Sequence, residues 1–302
     1  MNIKSSWPKI SIVTPSYNQA DFLETTIQSI LSQNYPNLEY IIIDGGSTDG
    51  SVEIIKKYES HLHFWCSEPD NGQYDAINKG FAQTSGEILA WLNSDDVYFP
   101  WTLKTVASIM TELPEVQWLT SLNLCVVDYQ GISFRFHAMP GYSKDAFLDG
   151  GYVPWDANAM GWLQQESTFW TRSLWNASGA ALSPKLRLAG DFELWARFFQ
   201  HAELYTTFSP LSSFRMQEAQ RSRQQADYLR EVRHVLETMR TQCAWSPQRM
   251  RALLKAFKIF KFPKLRTLFR PLYSYTGKRI YRDQEETTSA CWRVEEYPFF
   301  HY

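Results

Sequence analysis

The stretch Glu87-Ile-Leu-Ala-Trp-Leu-Asn-Ser-Asp-Asp96 places two adjacent carboxylates directly after a short apolar run. A short apolar run that is bounded by polar residues predicts a buried strand. Open parallel sheets bind their ligands beyond the carboxyl ends of their strands. Carboxylate oxygens at that edge suit Mg²⁺ or Mn²⁺, and such an ion suits a diphosphate. The stretch therefore predicts a sheet with a functional edge at Asp95 and Asp96.

The residues before this stretch alternate between apolar runs and segments with helical spacing. The predicted strands cover 10–15, 40–44, 63–66 and 87–92, and the helices between them cover 21–33, 51–58 and 74–83. This alternation is typical of βαβ units in an α/β fold with a parallel sheet. Right-handed crossovers bring the turns after the strands to one edge. We therefore expect the turns at 15–18, 44–49, 70–75 and 95–96 to converge.

The bulk composition is that of a folded, soluble α/β protein. The chain has 302 residues, of which 44% are hydrophobic and 21% are charged, which allows one large domain with an appendage. A net charge of −2 gives no general attraction for nucleic acid. The four cysteines form no CxxC pair, which predicts a reducing compartment. With no leader-like start and no apolar run of membrane-spanning length, a cytoplasmic protein is expected.

Five segments, in this order, resemble the motifs of the family 2 glycosyltransferases, which have the GT-A fold. They are Thr14-Pro-Ser-Tyr-Asn18, Asp44-Gly-Gly-Ser-Thr-Asp49, Asp70-Asn-Gly-Gln-Tyr-Asp-Ala-Ile-Asn-Lys-Gly80, Asn93-Ser-Asp-Asp96 and Ala189-Gly-Asp-Phe-Glu-Leu-Trp195. Each motif alone is weak, whereas five in order are specific. The resemblance implies a doubly wound, mostly parallel sheet in a domain at 1–218. A nucleotide-sugar-binding half at 9–98 and an acceptor half at 99–218 would compose it, followed by a helical, basic extension at 219–302.

The resemblance implies that the first two segments bind the nucleoside. Pro15 ends the first strand, so that Tyr17 and Asn18 present an aromatic ring and an amide. Asp44 would accept a hydrogen bond from the base, as a carboxylate does from uracil. The alternative is that Asp44 only caps its own turn, where Asp and Gly are common.

The third segment opens a predicted helix, whose N-terminal amides are natural neighbours of phosphate. By resemblance, Asp75 and Asn78 belong to the nucleotide site, with Asp75 near either a ribose hydroxyl or a neighbouring basic group. Plain capping of this helix by Asp70 or Asn71 is an equally good interpretation.

By the same resemblance, Asp96 is the principal ligand of Mn²⁺ or Mg²⁺, and Asp95 contacts the ribose or the sugar. Asp191 would be the catalytic base that accepts the proton of the attacking hydroxyl. The family usually has an acid before this base, and here Gly190 stands in its place. A polar turn at 95–96 and a helix N-cap at Asp191 are the structural alternatives.

The remaining predicted contacts concern the sugar and the diphosphate. Gln165, Glu166 and Trp162 would border the donor sugar and the acceptor, although a Trp here is more often part of the core. Arg215 would pair with the diphosphate. Gln217 stands where the family carries a His near the metal.

Residues 249–282 contain many Lys and Arg, several apolar side chains, and no Asp or Glu. Such a segment can lie on an anionic membrane with its apolar face in the lipid. A basic helical subdomain packed on the core is the equal alternative. A lipid-linked acceptor would suit the first interpretation and a peripheral location on the inner face of the membrane.

Taken together, the sequence predicts a metal-dependent, inverting glycosyltransferase that uses a nucleotide sugar, with UDP as the expected nucleotide. The acceptor would be a saccharide or a lipid-linked saccharide in the assembly of cell-surface polysaccharide or lipopolysaccharide. The alternative from another class is a catalytically silent protein of this fold that binds nucleotide sugars. A sugar nucleotidyltransferase is disfavoured because no glycine-rich basic loop follows the first strand.

Overall fold

Strands and helices alternate along the first hundred residues, as the sequence predicts. The computed structural model describes residues 7–156, 159–217, 224–246, 253, 257, 262, 264–265, 268, 274–283 and 291–300. Its strands are β1 (Ile10–Ser16), β2 (Leu38–Asp44), β3 (Phe64–Ser67), β4 (Ile88–Trp91), β5 (Val97–Tyr98), β6 (Trp118–Ser121), β7 (Asn123–Val127), β8 (Ser133–Ala138), β9 (Phe169–Thr171), β10 (Tyr205–Thr207), β11 (Ser212–Arg215), β12 (Tyr275–Arg282) and β13 (Trp292–Phe299).

Eight α-helices lie in the described ranges. They are α1 (Ala20–Leu31), α2 (Ser51–Lys57), α3 (Gln73–Ala82), α4 (Thr102–Glu112), α5 (Lys144–Leu148), α6 (Arg172–Ala177), α7 (Gly190–His201) and α8 (Gln225–Gln242). A short 3₁₀ turn at Gln165–Ser167 precedes β9.

The large sheet has the strand order β13-β12-β10-β6-β9-β4-β1-β2-β3 over the described residues. Strand β1 pairs in parallel with β2 and with β4, so these strands end at the same edge. Ser16 is in register with Asp44, which brings the turns after β1 and β2 side by side. Strand β9 runs antiparallel between β4 and β6, giving the mixed sheet of the GT-A type.

A second sheet, in the order β5-β11-β7-β8, holds the residues that follow the carboxylate pair. Strand β11 runs antiparallel to β5, with Ser213 opposite Val97. This register carries the end of β11 towards Asp95 and Asp96. Residues more than a hundred positions apart in the chain thereby meet at one edge.

A cluster of tryptophans fills the core between the large sheet and α7. The rings of Trp91 and Trp195 stack at 6.0 Å, those of Trp118 and Trp195 at 5.5 Å, and Trp170 is fully buried beside them. The high aromatic content therefore reflects core packing, and Trp170 is a core residue with no free face for a sugar. Since Trp195 anchors α7 from within the core, the first turn of α7 has a fixed position at the edge of the sheet.

The prediction of a helical C-terminal part is correct for α8 and wrong for β12 and β13. Strand β12 pairs in parallel with β10, and β13 pairs antiparallel with β12. The reason is a tertiary contact. The edge of β10 offers backbone N–H and C=O groups, and a basic segment can form hydrogen bonds with them as well as an apolar segment can. A domain boundary at residue 218 stays a prediction, since β12 extends the sheet that holds β10.

Within the described ranges, no helix combines the length and apolar character that crossing a bilayer requires. The segment 249–282, predicted to contact a membrane, lies largely outside the described residues up to position 273. Its contact with a membrane therefore stays a prediction.

Candidate active site

The turns after β1 and β2 are held together by direct hydrogen bonds, which confirms their predicted convergence. The backbone N–H of Asn18 donates to Ser47 Oγ at 2.8 Å, and Asn18 Oδ1 accepts from the N–H of Thr48 at 2.9 Å. Tyr17 lies beside them with 62% of its surface exposed. The aromatic ring predicted for a nucleoside is therefore available to a ligand at this edge, next to the buried Pro15.

Asp44 organises the turn that follows β2. Its Oδ2 accepts from the N–H of Gly46 at 3.1 Å, from the N–H of Ser47 at 2.8 Å and from Ser67 Oγ at 2.7 Å. Its Oδ1 accepts from Ser47 Oγ at 2.5 Å. The carboxylate is fully buried. The turn-capping interpretation therefore describes this structure, and a contact between Asp44 and a base stays a prediction.

The turn after β3 lies close to the turn after β2. A Cβ atom at Gly45 would lie 2.9 Å from Asp70 Oδ2. Further along the same turn, Gln73 Nε2 donates to Asn93 Oδ1 at 2.6 Å. All four turns that were predicted to converge are thus connected.

Asp75 and Asn78 are both engaged within the protein. Asp75 Oδ2 accepts from the N–H of Asn71 at 3.0 Å and lies 3.5 Å from Lys79 Nζ. Asn78 donates to the carbonyl of Leu182 at 3.0 Å and accepts from its N–H at 2.7 Å. This pair of bonds fastens α3 to the segment before α7. Asn78 therefore has a scaffolding position, and its predicted nucleotide contact stays a prediction.

The two adjacent carboxylates face different surroundings. Asp96 is only 1% exposed, and its Oδ1 accepts from the N–H of Arg215 at 2.8 Å while its Oδ2 accepts from Asn93 Nδ2 at 3.1 Å. Asp95 is partly exposed, and its Oδ2 accepts from Gln217 Nε2 at 2.6 Å. Asp95 is therefore the more accessible of the two carboxylates, and the predicted roles of Asp96 as metal ligand and Asp95 as ribose or sugar contact stay predictions.

Arg215 is likewise bonded within the protein. Its Nε donates to the carbonyl of Asp95 at 2.7 Å, and its Nη1 donates to the carbonyl of Tyr129 at 2.9 Å. Its guanidinium lies over the ring of Phe22, 5.2 Å from the centroid, and the side chain is buried. The residue therefore holds the chain around Asp95 in place, and its pairing with a diphosphate stays a prediction.

Four carboxylates share one region at this edge. Burial raises the pKa of Asp95, and burial with repulsion from Asp95 and Glu166 raises the pKa of Asp96 well above its usual range. Burial, with smaller contributions from Asp95 and Asp191, raises the pKa of Glu166 to about 7. Glu166 Oε1 has no hydrogen-bond partner among the described residues. This concentration of negative charge is suited to a cation.

We expect Glu166→Gln to change how the stability of the protein depends on pH in the absence of divalent ions. The folded pKa of about 7 exceeds the ordinary value of 4.5, so the folded state holds a proton that the unfolded state releases. Wild-type stability therefore falls as pH rises from 4.5 to 7, by roughly 3 kcal/mol from this group. Urea titrations at pH 5 and pH 8 measure the difference. An equal change with pH in both proteins would contradict the assignment.

Asp191 lies in the first turn of α7, and its Oδ1 accepts the N–H of Phe192 at 2.8 Å. The segment before it is held by α8, because Glu231 Oε2 accepts from the N–H groups of Leu188 and Ala189, each at 2.9 Å. Two helices therefore fix the backbone that carries this partly exposed carboxylate.

Steric contact with a neighbouring ring explains why a glycine precedes Asp191. The N–H of Gly190 donates to Tyr74 Oη at 2.8 Å, and a Cβ atom at Gly190 would lie 2.7 Å from two ring carbons of Tyr74. The acid that the family usually has at this position is therefore excluded by the tyrosine ring. The same contact ties the start of α3 to the start of α7.

We expect Gly190→Ala to destabilise the fold by about 2 kcal/mol, because the methyl group overpacks against the Tyr74 ring. In a Tyr74→Ala background the added cost of the methyl group should be smaller, since the ring is gone. Thermal unfolding of the two single variants and the double variant measures this coupling. Strictly additive losses would show that the ring does not exclude a side chain.

Gln165, Glu166 and Trp162 are the residues predicted to border the sugar. Gln165 Nε2 donates to the carbonyl of Trp91 at 2.8 Å, and the residue is 7% exposed. The half-buried ring of Trp162 stacks on His137 with centroids 5.6 Å apart. Glu166 follows Gln165 in the 3₁₀ turn, and repulsion from Asp95 contributes to the raised pKa of its carboxyl group.

Sequence patterns give no indication of several residues that build this edge. Asn93 bridges Gln73 and Asp96, and Glu231 holds the segment before Asp191. Asn93 is the first residue of the motif at 93–96, yet its local sequence does not show whether its amide bridges two side chains or only stabilises a turn. Glu231 lies on a helix where a solvated carboxylate is the ordinary outcome.

Comparison with known proteins agrees with the resemblance in the sequence. Residues 11–151 match the family described as glycosyl transferase family 2. An uncharacterized glycosyltransferase of Mycobacterium tuberculosis is 43% identical over 93 residues, 30% of this chain and 36% of that protein. TuaG of Bacillus subtilis, named for teichuronic acid biosynthesis, is 32% identical over 148 residues, 48% of this chain and 59% of that protein. The matches thus span between about a third and two thirds of these relatives' lengths.

Solved structures show the same fold at low sequence identity. Residues 1–349 of TarS from S. aureus, in complex with UDP-GlcNAc, superpose with a TM-score of 0.62 at 17% identity, covering 87% of this chain and 75% of that chain. The mannosyltransferase PcManGT of Pyrobaculum calidifontis, in complex with GDP-Man and Mn²⁺, gives a TM-score of 0.53 at 16% identity, covering 87% and 84%. The architecture is therefore of the GT-A type.

Proposed function

We propose that this chain, whose residues 11–151 belong to glycosyl transferase family 2, transfers a sugar from a nucleotide sugar to a hydroxyl group. The observation that carries the proposal is the convergence of the turns after β1, β2, β3 and β4 at the carboxyl edge of the large sheet, where Asp95 lies. Ligands of open α/β sheets bind at that edge. The acceptor is a saccharide or a lipid-linked saccharide.

The proposed donor is a UDP-sugar. The exposed ring of Tyr17 lies beside the turns that Asn18 and Asp44 hold together, which provides a surface for a nucleoside at the ends of β1 and β2. In support, TarS of the same fold was solved with UDP and with UDP-GlcNAc. The GDP-Man complex of PcManGT makes GDP-sugars the alternative to be tested.

The residues present fit a divalent cation. Asp95 supplies a hard oxygen at the ligand edge, and the neighbouring carboxylates raise the local negative charge. No group of three or more metal-ligating side chains is found among the described residues, so an ion would take further ligands from the diphosphate and from water. When bound, a divalent ion would neutralise the charge of the departing diphosphate. Gln217 would turn its amide to accommodate the new charge at Asp95.

The proposed base is Asp191. A carboxylate that accepts the proton of the acceptor hydroxyl leaves the oxygen free to attack the anomeric carbon as the bond to the diphosphate breaks. One base suffices for a direct displacement, which inverts the configuration of the anomeric carbon. Glu166, Gln165 and Trp162 are proposed to border the donor sugar, and Gln165 is held at the carboxyl end of β4 by its hydrogen bond to the carbonyl of Trp91.

A role in cell-surface polysaccharide assembly is proposed from the similarity to TuaG, which is named for teichuronic acid biosynthesis. That similarity covers 48% of this chain, so it supports the class of pathway and leaves the acceptor to experiment. Transfer of single sugars is expected.

A thermal-shift screen of UDP-sugars and GDP-sugars, with and without Mn²⁺, tests the proposal. A ligand at one hundred times its Kd raises stability by about 2.7 kcal/mol. We expect a UDP-sugar to stabilise the protein more with Mn²⁺ than without it, and nucleotide release when acceptor is added. Stabilisation without turnover for any acceptor would favour the silent binding protein, and no stabilisation by any nucleotide sugar would refute the proposal.

A further inference from the structure

Trp155 is a large apolar residue in an uncommon backbone conformation on the surface. Its φ angle is 59°, in the left-handed region, and half of its surface is exposed. For a bulky side chain this conformation costs on the order of 1–3 kcal/mol, and such strain clusters at ligand sites. A residue that is both strained and exposed contributes little to folding, which directs attention to what the indole can bind.

The orientation of the indole is held by α8. The rings of Trp155 and Tyr228 are nearly perpendicular, at 85°, with centroids 5.5 Å apart. This edge-to-face geometry is a favourable arrangement for two aromatic rings. Tyr228 is itself partly buried against the body of the protein. The indole is therefore presented in a defined direction even though it lies on a loop.

The contact with Tyr228 places Trp155 close to the proposed base. Tyr228 lies one helical turn before Glu231, which holds the N–H groups of Leu188 and Ala189 directly ahead of Asp191. Burial raises the pKa of Tyr228, and the nearby Asp191 carboxylate raises it further. The exposed indole and the Asp191 carboxylate therefore flank the same tyrosine.

We propose that the indole of Trp155 is the stacking surface for the acceptor, where it receives the ring of the sugar whose hydroxyl group is directed at Asp191. This inference rests on the proposed function and adds the acceptor subsite to it. A sugar ring has apolar C–H faces and polar edges, so a flat aromatic surface binds the face while the hydroxyl groups stay free. The occupant is the acceptor because the nucleotide turns lie at the ends of β1 and β2, whereas Trp155 packs on α8, the helix beside α7.

The experiment compares three variants in transfer assays with para-nitrophenyl glycosides of glucose, galactose and N-acetylglucosamine, using the donor that the nucleotide-sugar screen identifies. Trp155→Asn removes the ring, and Asn tolerates the left-handed conformation, so the loop keeps its backbone. Trp155→Phe retains an aromatic face. Trp101→Ala is the matched control, since Trp101 is 46% exposed and lies at the start of α4.

We expect Trp155→Asn to raise the acceptor KM about tenfold, the size of one lost aromatic contact, while the Kd for UDP changes less than twofold. Trp155→Phe should recover most of the loss, and Trp101→Ala should leave the acceptor KM unchanged. If the wild-type protein transfers sugar and Trp155→Asn leaves the acceptor KM unchanged, the acceptor subsite is overturned while the proposed function stands. A wild-type protein that neither binds a nucleotide sugar nor transfers one overturns the proposed function and the subsite together.

Discussion

Asp191→Asn is expected to lower the rate of sugar transfer by about a thousandfold, within the usual contribution of a general base. Asn is nearly isosteric and still accepts the N–H of Phe192 through its carbonyl oxygen, so the first turn of α7 should keep its geometry. What the variant loses is the ability to take the proton from the acceptor hydroxyl. The measurement is kcat for nucleotide release in the presence of acceptor, together with the Kd for UDP by calorimetry.

The matched control for this experiment is Asp145→Asn. Asp145 also lies in the first turn of a helix, α5, and is exposed to solvent. It loses the same charge at the same kind of position, so transfer should stay within twofold of wild type. Donor binding should be unchanged in Asp191→Asn, because the nucleotide turns belong to β1 and β2. Transfer at the wild-type rate in Asp191→Asn would exclude it as the base, and a parallel loss of UDP binding would assign it to the donor site instead.

The second large effect is expected at the adjacent carboxylates, where one substitution should weaken ligand binding and the other should lower stability. Asp95→Asn should weaken binding of UDP in the presence of Mn²⁺ by about a hundredfold, the upper end of the range for residues that only orient a metal's ligands, since Asp95 would contact the ion itself. The stability of the protein should change little, because Asp95 is partly exposed and an amide can still accept from Gln217. Binding measured in EDTA serves as the control and should be equally weak in wild type and variant.

Asp96→Asn should show the opposite pattern. Its carboxylate is buried and accepts from the N–H of Arg215 and from Asn93, so an amide would place one N–H against a donor. Leaving a buried polar group unsatisfied costs roughly 2 kcal/mol. Urea denaturation should therefore detect a loss of stability. If Asp96→Asn instead keeps wild-type stability and loses Mn²⁺-dependent binding, the prediction made from the motif alone is right and the structural assignment is wrong.

The contrast between these neighbours illustrates how far a motif can be interpreted. The segment Asn93-Ser-Asp-Asp96 indicates carboxylates at a ligand edge, and the structure places them there. The two carboxylates lie in the turn between β4 and β5, which is closed by a hydrogen bond from the N–H of Asp96 to the carbonyl of Asn93. Which carboxylate is interior depends on β11, whose Arg215 N–H meets Asp96 from more than a hundred residues away. No local pattern in the sequence contains that information.

The same limit explains the other differences. Arginine is a common phosphate ligand, yet in the folded chain the Arg215 side chain donates hydrogen bonds to the carbonyl groups of Asp95 and Tyr129. Gly190 replaces an acid because the ring of Tyr74 occupies the space beside it. Trp155 comes from a stretch rich in Gly, Trp and Tyr that has no clear periodicity, so its exposure and its partner on α8 became visible only in three dimensions.

The amino-acid sequence by itself determined the alternation of strands and helices up to β4, the convergence of their turns and the position of α7. These features depend on hydrophobic periodicity and on the turn preferences of Gly, Asp and Pro, which act between near neighbours. The tertiary structure alone decided that Asp96 faces inward and Asp95 outward, that 275–282 forms a strand on the edge of β10, and that Trp155 lies by Tyr228. Each of these outcomes is set by a partner distant in the chain, which competes with local preference and prevails through burial and hydrogen bonding.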